Sequence, residues 1–593
     1  MARTDPHSYF DPGQPRTRSV HFAWEVDFTA RRIRGSATLA LEAPGTGPMD
    51  LDTRGLKLFS ATAGDGRPVA FSLAEPDAVL GSRLRLVLPE GTSRVRLDYE
   101  TAPDAVALQW LSPAQTLGRR LPFLFSQCQP HHARTVAPLQ DSPAARVTYT
   151  AEVTVPDGIT AVMAAGAEGD GPAPGGKRTF RFRMPQPVPT YLVALAAGDL
   201  ASREIGPRSR VWAEPGTLDA AAWEFAEVES AIAAAEGLFG PYDWDRYDLL
   251  VLPPSFPYGG MENPRLTFLT PTLLAGDRSL VAVMAHELAH SWTGNLVTNA
   301  TVEHFWLNEG FTVWAERRIL EALRGADYAA MVWAIGLSGL RSALARFGEG
   351  SPLTRLVTQL EGVNPDEVYS EVPYEKGALF VALLEKTAGR AVWDRFVRDY
   401  MARFRFTSIT TDTFLAFLEE KLPGLAARAD AGAWLHGPGL PANAPVLRSA
   451  RLELLQAKAA AWAAGERPSP EAVKEWPPEE LLVFLQGLPR PMPEADCAWL
   501  QGRLDLPGGR NYEIVVEWLS IALASDYAPA FPCAREVLGK VGRMKYLRPL
   551  YRALAASPRS RALARELYAA TREGLHGLSR RVIEEVLASY PAP

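Results

Sequence analysis

The pentad His286-Glu287-Leu288-Ala289-His290 constrains the folding of this chain more than any other feature. Two imidazoles four residues apart share a face only if the backbone between them is α-helical. Both can then converge on one cation. Residues 280–292 contain neither Pro nor Gly and read as a buried helix, which Gly294 is placed to end. Glu287 is displaced around that helix and is suited to taking a proton from water rather than to ligation. A third ligand is needed, and Glu309, in a second helix-like run over 306–323, is the natural donor. Two His and one Glu leave a fourth position open, the pattern of a catalytic zinc. One Zn2+ per chain is therefore expected.

Length and composition bound the rest. A chain of 593 residues suggests roughly three to five domains, because single cores seldom grow larger. Hydrophobic residues at 47% and charged residues at 22% are ordinary for a globular protein. The net charge of -6, with no basic tail or finger-like Cys pattern, argues against a nucleic-acid partner. No unbroken run of apolar residues reaches membrane-spanning length, and the first residues show no apolar signal region. Cys128, Cys497 and Cys533 are isolated thiols, which fits a reducing compartment and burial as small hydrophobes. A cytoplasmic monomer without membrane or nucleic-acid partners is the expectation.

The hydrophobic period changes along the chain. Residues 19–28, 35–42, 83–88 and 148–155 alternate as strands do, with Pro/Gly turns expected at 43–48 and 171–176. Past residue 200, helical runs at 218–238, 280–292, 306–323, 377–386 and 392–404 accompany a short apolar strand at 247–252. Residues 436–447 form a Pro-rich connector, and beyond it nearly everything reads as helix. The domains expected are a β domain over 1–200, a catalytic domain over 201–435, a linker over 436–450 and a helical domain over 451–593. The fold class is multidomain α+β.

Three motifs in order, Pro257-Tyr258-Gly259-Gly260-Met261-Glu262-Asn263-Pro264, the pentad, and Trp306-Leu307-Asn308-Glu309-Gly310, resemble the gluzincin (M1) aminopeptidases. Residues 271–279, Phe125-Ser126-Gln127-Cys128-Gln129, Val372-Pro373-Tyr374-Glu375-Lys376-Gly377 and Gly542-Arg543-Met544-Lys545 are similar to the branch holding leukotriene A4 hydrolase and aminopeptidase B. The resemblance spans essentially the whole chain. It implies an N-terminal saddle-like β domain, a thermolysin-like metallopeptidase domain and a C-terminal layered helical domain.

The same resemblance implies roles for single residues. Tyr258, Gly259, Gly260, Met261 and Glu262 match the substrate-binding stretch, with Glu262 as the anchor for a free α-amine. Gln129, with Gln127 beside it, matches the lining of that amine pocket. Tyr374 matches the tyrosine that stabilises the oxyanion. Tyr369 and Asp366 match pocket residues of the leukotriene branch, Asp366 being tied there to epoxide hydrolysis and to basic peptide N-termini. Arg543 and Lys545 match the cations that receive a peptide carboxylate; a basic helix end, favourable with the dipole, is the plainer reading. The implied activity is zinc-dependent release of the N-terminal residue from short peptides, with Arg or Lys preferred. A bifunctional epoxide hydrolase and aminopeptidase is the alternative, and a non-catalytic peptide-binding scaffold the reading from another class. Two departures bear on the pocket. Pro130-His131-His132 follows Gln129, its histidines left to surface or packing roles, and Phe311, Val313 and Trp314 vary the helix after Glu309 and bear on pocket width.

Overall fold

The computed structural model describes residues 4–446, 448–504 and 509–590. Leu447, at the end of the Pro-rich connector, lies outside the described residues, as do the extreme ends of the first and last expected domains.

Alternating patterns in the first part of the chain become a twisted eight-stranded sheet. Thr17–Asp27 lies within it, antiparallel to Arg32–Thr53 and parallel to Arg146–Pro156. Every second residue of Thr17–Asp27 from Val20 to Val26 is buried, which buries Phe22 and Trp24 while the intervening positions face outward. The turn expected at 43–48 is instead part of Arg32–Thr53: the glycines there are absorbed as register shifts opposite Ser82–Glu100, so the strand bulges and continues. A second, four-stranded sheet contains Leu108–Leu111, Phe123–Ser126, Leu195–Gly198 and Thr160–Met163. Gln127 and Gln129 leave this sheet directly after Phe123–Ser126.

The middle of the chain builds a five-stranded sheet covered by helices. Its order is Ala201–Glu204, Arg210–Ala213, Asp248–Val251, Leu266–Leu269 and Gly260–Met261, so the last of these is an edge strand. The helix expected over 218–238 is two, Leu218–Glu224 and Val228–Phe239. The pentad helix is shorter than expected, Val281–Ala289, with His290 as its C-cap. Trp306–Arg324 carries Glu309 and crosses against both the pentad helix and Gly377–Ala388. Gly310 and Gly377 make the second crossing possible: a Cβ on Gly310 would lie 2.7 Å from the Gly377 backbone. One helix among the described residues, Ala326–Phe347, is long and apolar enough to cross a membrane, although no unbroken apolar run is present. It packs against Trp306–Arg324 and Pro478–Gln486.

Beyond the connector the chain is helical in two layers. Ala450–Trp462, Pro478–Gln486, Tyr512–Ala524, Met544–Ala556 and Gly577–Ala588 pack in succession, each on the next. Pro470–Lys474 on Glu494–Leu504, and Phe531–Lys540 on Arg561–Thr571, form the other layer. This is the layered helical arrangement expected of the last domain.

Candidate active site

The pentad and the Glu309 helix bring three donor atoms together. His286 Nε2 and His290 Nε2 lie 3.1 Å apart, and Glu309 Oε2 lies 3.3 and 3.4 Å from them. Their far sides are held. His286 Nδ1 is 3.1 Å from Glu316 Oε2, and His290 Nδ1 is 3.0 Å from the Thr293 carbonyl and 3.1 Å from Thr312 Oγ1. Protons on the Nδ1 atoms leave the Nε2 lone pairs facing Glu309. Glu316 was not anticipated, yet it lies two helical turns beyond Glu309 on the same face, a spacing readable in the sequence. Gly294, expected as the helix stop, has φ +131°, and a Cβ there would meet Asn308 Oδ1 at 2.6 Å and His290 Nδ1 at 2.7 Å. Its bare backbone lets the His290 ring turn toward Glu309.

These residues fit a zinc ion. Glu309 Oε2 is buried with no hydrogen-bonding partner among the described residues, a costly arrangement that a cation relieves. Burial opposes a charge on His286, yet the carboxylates of Glu309 and Glu316 raise its pKa well above the usual imidazole value, so the site demands positive charge. Two imidazoles and one carboxylate are a zinc donor set. His290 also belongs to an overlapping set with Glu262 and Glu287, which brings those two carboxylates to the edge of the same centre.

Glu287 projects toward the Gly260–Met261 edge. A Cβ on Gly260 would lie 2.3 Å from Glu287 Oε1, so the glycine is required for this approach. Burial pushes the Glu287 carboxyl up to about 7, against the pull of the His286 and His290 imidazoles. Glu262 is buried, accepts a hydrogen bond from Gln129 Nε2 at 3.0 Å, and is anchored through its carbonyl to Asn295 Nδ2 at 2.7 Å. Gln127 instead donates to Met261 Sδ at 3.3 Å, and its own carbonyl oxygen has no hydrogen-bond partner among the described residues.

Tyr374 sits in a single wide turn, Val372–Lys376, of the kind often found at functional sites. Its ring stacks on His286 at 6.2 Å and meets Phe305 and Tyr369 edge-on. Tyr369 in turn meets Tyr258 at 5.9 Å. Burial raises the Tyr374 phenol well above its usual pKa and keeps it protonated. An aromatic file thus leads away from the metal ligands, and Tyr258 at its far end feels the Asp366 carboxylate. Phe311 and Trp314 are not in it: Phe311 packs on Trp306, Tyr400 and Phe414, and Trp314 on Phe239 and Trp393, both inside the core. Val313 is buried as well. These three side chains, expected to bear on pocket width, are turned into the core instead.

Arg543 and Lys545 lie at the start of Met544–Ala556, not at a helix C-terminus, so favourable pairing with the helix dipole does not account for them. Both pair with Glu513, Arg543 at 3.1 Å and Lys545 at 2.8 Å. Glu513 was not foreseen, because it precedes them by thirty residues on another helix. Arg543 reaches the site through close backbone contact between domains. Met544 N donates to the Pro257 carbonyl at 2.8 Å, and a Cβ on Gly259 would meet Arg543 Nη2 at 2.6 Å. Lys545 is 50% exposed.

The two unassigned histidines are buried rather than superficial. His131 lies 3.6 Å from Asp5, and His132 Nε2 lies 3.1 Å from Asp366 Oδ2. Burial also drives the Cys128 thiol pKa upward, which suits an inert packing role.

Three family profiles match the chain: the Peptidase M1 N-terminal domain over residues 17–192, the Peptidase family M1 domain over 223–430, and the Leukotriene A4 hydrolase C-terminal domain over 476–587. The sequence is 38% identical to leukotriene A-4 hydrolase of Xenopus laevis, covering 98% of this chain and 99% of that protein. It is 40% identical to aminopeptidase B of Rattus norvegicus, covering 94% and 91%. The structure of yeast LTA4 hydrolase in complex with bestatin superposes with a TM-score of 0.91 at 32% identity, covering 99% of this chain and 98% of that one.

Proposed function

Because the chain belongs to peptidase family M1, in the branch of leukotriene A4 hydrolase and aminopeptidase B, and is a zinc aminopeptidase, we propose that it releases single residues from the free N-terminus of short peptides. The observation that carries this reading is the buried Glu262 carboxylate, tethered by Gln129 and next to both Glu287 and His290. A buried carboxylate beside a metal centre needs a cation, and a peptide's terminal ammonium is one. Anchoring that end sets the cut one residue along.

Zinc held by His286, His290 and Glu309 supplies Lewis acidity when bound, polarising a carbonyl and making water more acidic. Glu287 takes the proton of the attacking water and returns it to the leaving amine. The Tyr374 hydroxyl donates to the oxyanion. The Gly260–Met261 edge offers backbone groups to an extended peptide. Arg543 and Lys545 both pair with one carboxylate, Glu513, and together offer a cationic dock to the peptide's own C-terminus.

N-acetylation should abolish turnover of a peptide that is cleaved with its amine free; equal rates for the two forms would remove the anchor role of Glu262. Arg543→Ala should lower kcat/KM for a tripeptide by about tenfold while leaving an aminoacyl anilide, which has no carboxylate, nearly unchanged. Equal losses on both substrates would mean that Arg543 only holds the domains together.

A second reading is favoured by the relatives that bear the name leukotriene A4 hydrolase and by the file of Tyr258, Tyr369, Tyr374 and Phe305 with Asp366 beyond it. The same pocket then accepts a lipid epoxide and hydrolyses it to a diol. Incubation with leukotriene A4 should consume it faster than buffer does, and competition by a tripeptide should slow that consumption. Decay at the buffer rate would exclude the epoxide activity and leave the peptidase intact.

A further inference from the structure

Asp366 is where three parts of the chain meet. It sits in the turn Pro365–Val368 of the catalytic region, and Asn364 caps the turn by accepting from the Asp366 backbone N–H at 3.2 Å. His132, at the start of the turn Ala133–Thr135 in the N-terminal part of the chain, reaches it at 3.1 Å. Arg581, from Gly577–Ala588 in the last helical layer, donates to the same oxygen, Oδ2, at 3.0 Å. Arg581 is 44% exposed, whereas the Asp366 side chain is only 6% exposed. The resemblance that suggested an Arg or Lys preference supplies Asp366 but not this partner.

We infer that Arg581 is a specificity-determining residue: by occupying Asp366 it makes the first-residue pocket select uncharged side chains, and its removal uncovers a preference for Arg and Lys. The inference rests on the aminopeptidase reading above. A substrate guanidinium gains most from a carboxylate when it can pair with both oxygens. Here Oδ2 is shared between two donors already, so only one oxygen is left to it. The pair also cancels the charge that would draw a cation inward. Burial is the largest influence on the Asp366 carboxyl, and the neighbours that act on it most, His132, Arg581 and His576, all lower its pKa. Arg54 feels it from the N-terminal sheet, and burial, ahead of the neighbouring His132 and Arg581, holds His576 neutral with a pKa of about 3. Asp366 and Arg581 both act on the Tyr258 phenol, whose pKa is raised first by burial, which ties the pair to the aromatic file leading to the metal ligands.

The test is a panel of aminoacyl reporters, Arg, Lys, Ala, Leu and Phe, on the zinc-loaded enzyme and on Arg581→Ala, Arg581→Lys, Asp366→Asn and the Arg581→Ala/Asp366→Asn double variant. Thermal melting of each is followed alongside. In the parent, uncharged reporters should lead. In Arg581→Ala, kcat/KM for Arg and Lys should rise about tenfold or more relative to Ala, chiefly through KM, with Leu and Phe little changed. Arg581→Lys should stay close to the parent, and the double variant should lose the gain. An Arg-led ranking in the parent that Arg581→Ala leaves as it is would overturn the inference. So would a uniform change across the panel with a lowered melting temperature, which would assign Arg581 to domain packing alone. Failure of the parent to hydrolyse any reporter would instead strike the aminopeptidase reading, and this inference with it.

Discussion

Glu287→Gln is expected to lower kcat by about 10²-fold or more while the protein keeps one zinc per chain. Glutamine matches the shape of glutamate, so the close approach across Gly260 survives. What is lost is the capacity to take a proton from water and hand it to the leaving amine. Burial has already pushed the Glu287 carboxyl up to about 7, so it can do both near neutral pH. The variant also separates the two overlapping donor sets around His290. If His286, His290 and Glu309 hold the zinc, elemental analysis finds it undiminished in Glu287→Gln. Loss of zinc together with activity would mean that Glu287 ligates, and a kcat within a few-fold of the parent would remove it as the base.

Tyr374→Phe is expected to cost about 10²–10³-fold in kcat with KM little changed, the scale for deleting one donor to a developing oxyanion. The phenol is kept protonated by burial, and its ring is fixed between His286, Phe305 and Tyr369. Removing only the hydroxyl leaves that packing, so a fall in stability should be small. Steady-state kinetics on one aminoacyl reporter, with a thermal melt of the same preparation, checks this. An effect confined to KM would move Tyr374 from the reaction to substrate binding. A large drop in melting temperature would make it a packing residue.

Local chemistry in the sequence was enough to place the zinc centre. The i, i+4 histidines demand a helix, and the helix demands that their rings share a face, whatever surrounds them. The same held for the alternating strands at 19–28 and 148–155, where one buried face sets the period. Periodicity was a weaker guide where backbone pairing overrides it. The glycines at 45 and 47 looked like a turn and became bulges, because Ser82–Glu100 supplies hydrogen bonds on both sides of them. The helix expected over 218–238 breaks between Glu224 and Val228, where the sequence has no Pro or Gly to mark the gap.

The metal-ligating cluster and the chain's family were legible in the residues alone, since each depends on residues close together or on motifs kept in order. The surroundings of those groups came from the packing of distant segments. It set Glu316 against His286, Glu513 between Arg543 and Lys545, and Arg581 and His132 on Asp366. It also turned Phe311 and Trp314 into the core and away from the pocket. The physical reason is range. Helical and strand periods act over a few residues, whereas a carboxylate's charge is cancelled by whichever cation the fold carries within hydrogen-bonding distance, and for Asp366 that cation comes from more than two hundred residues away.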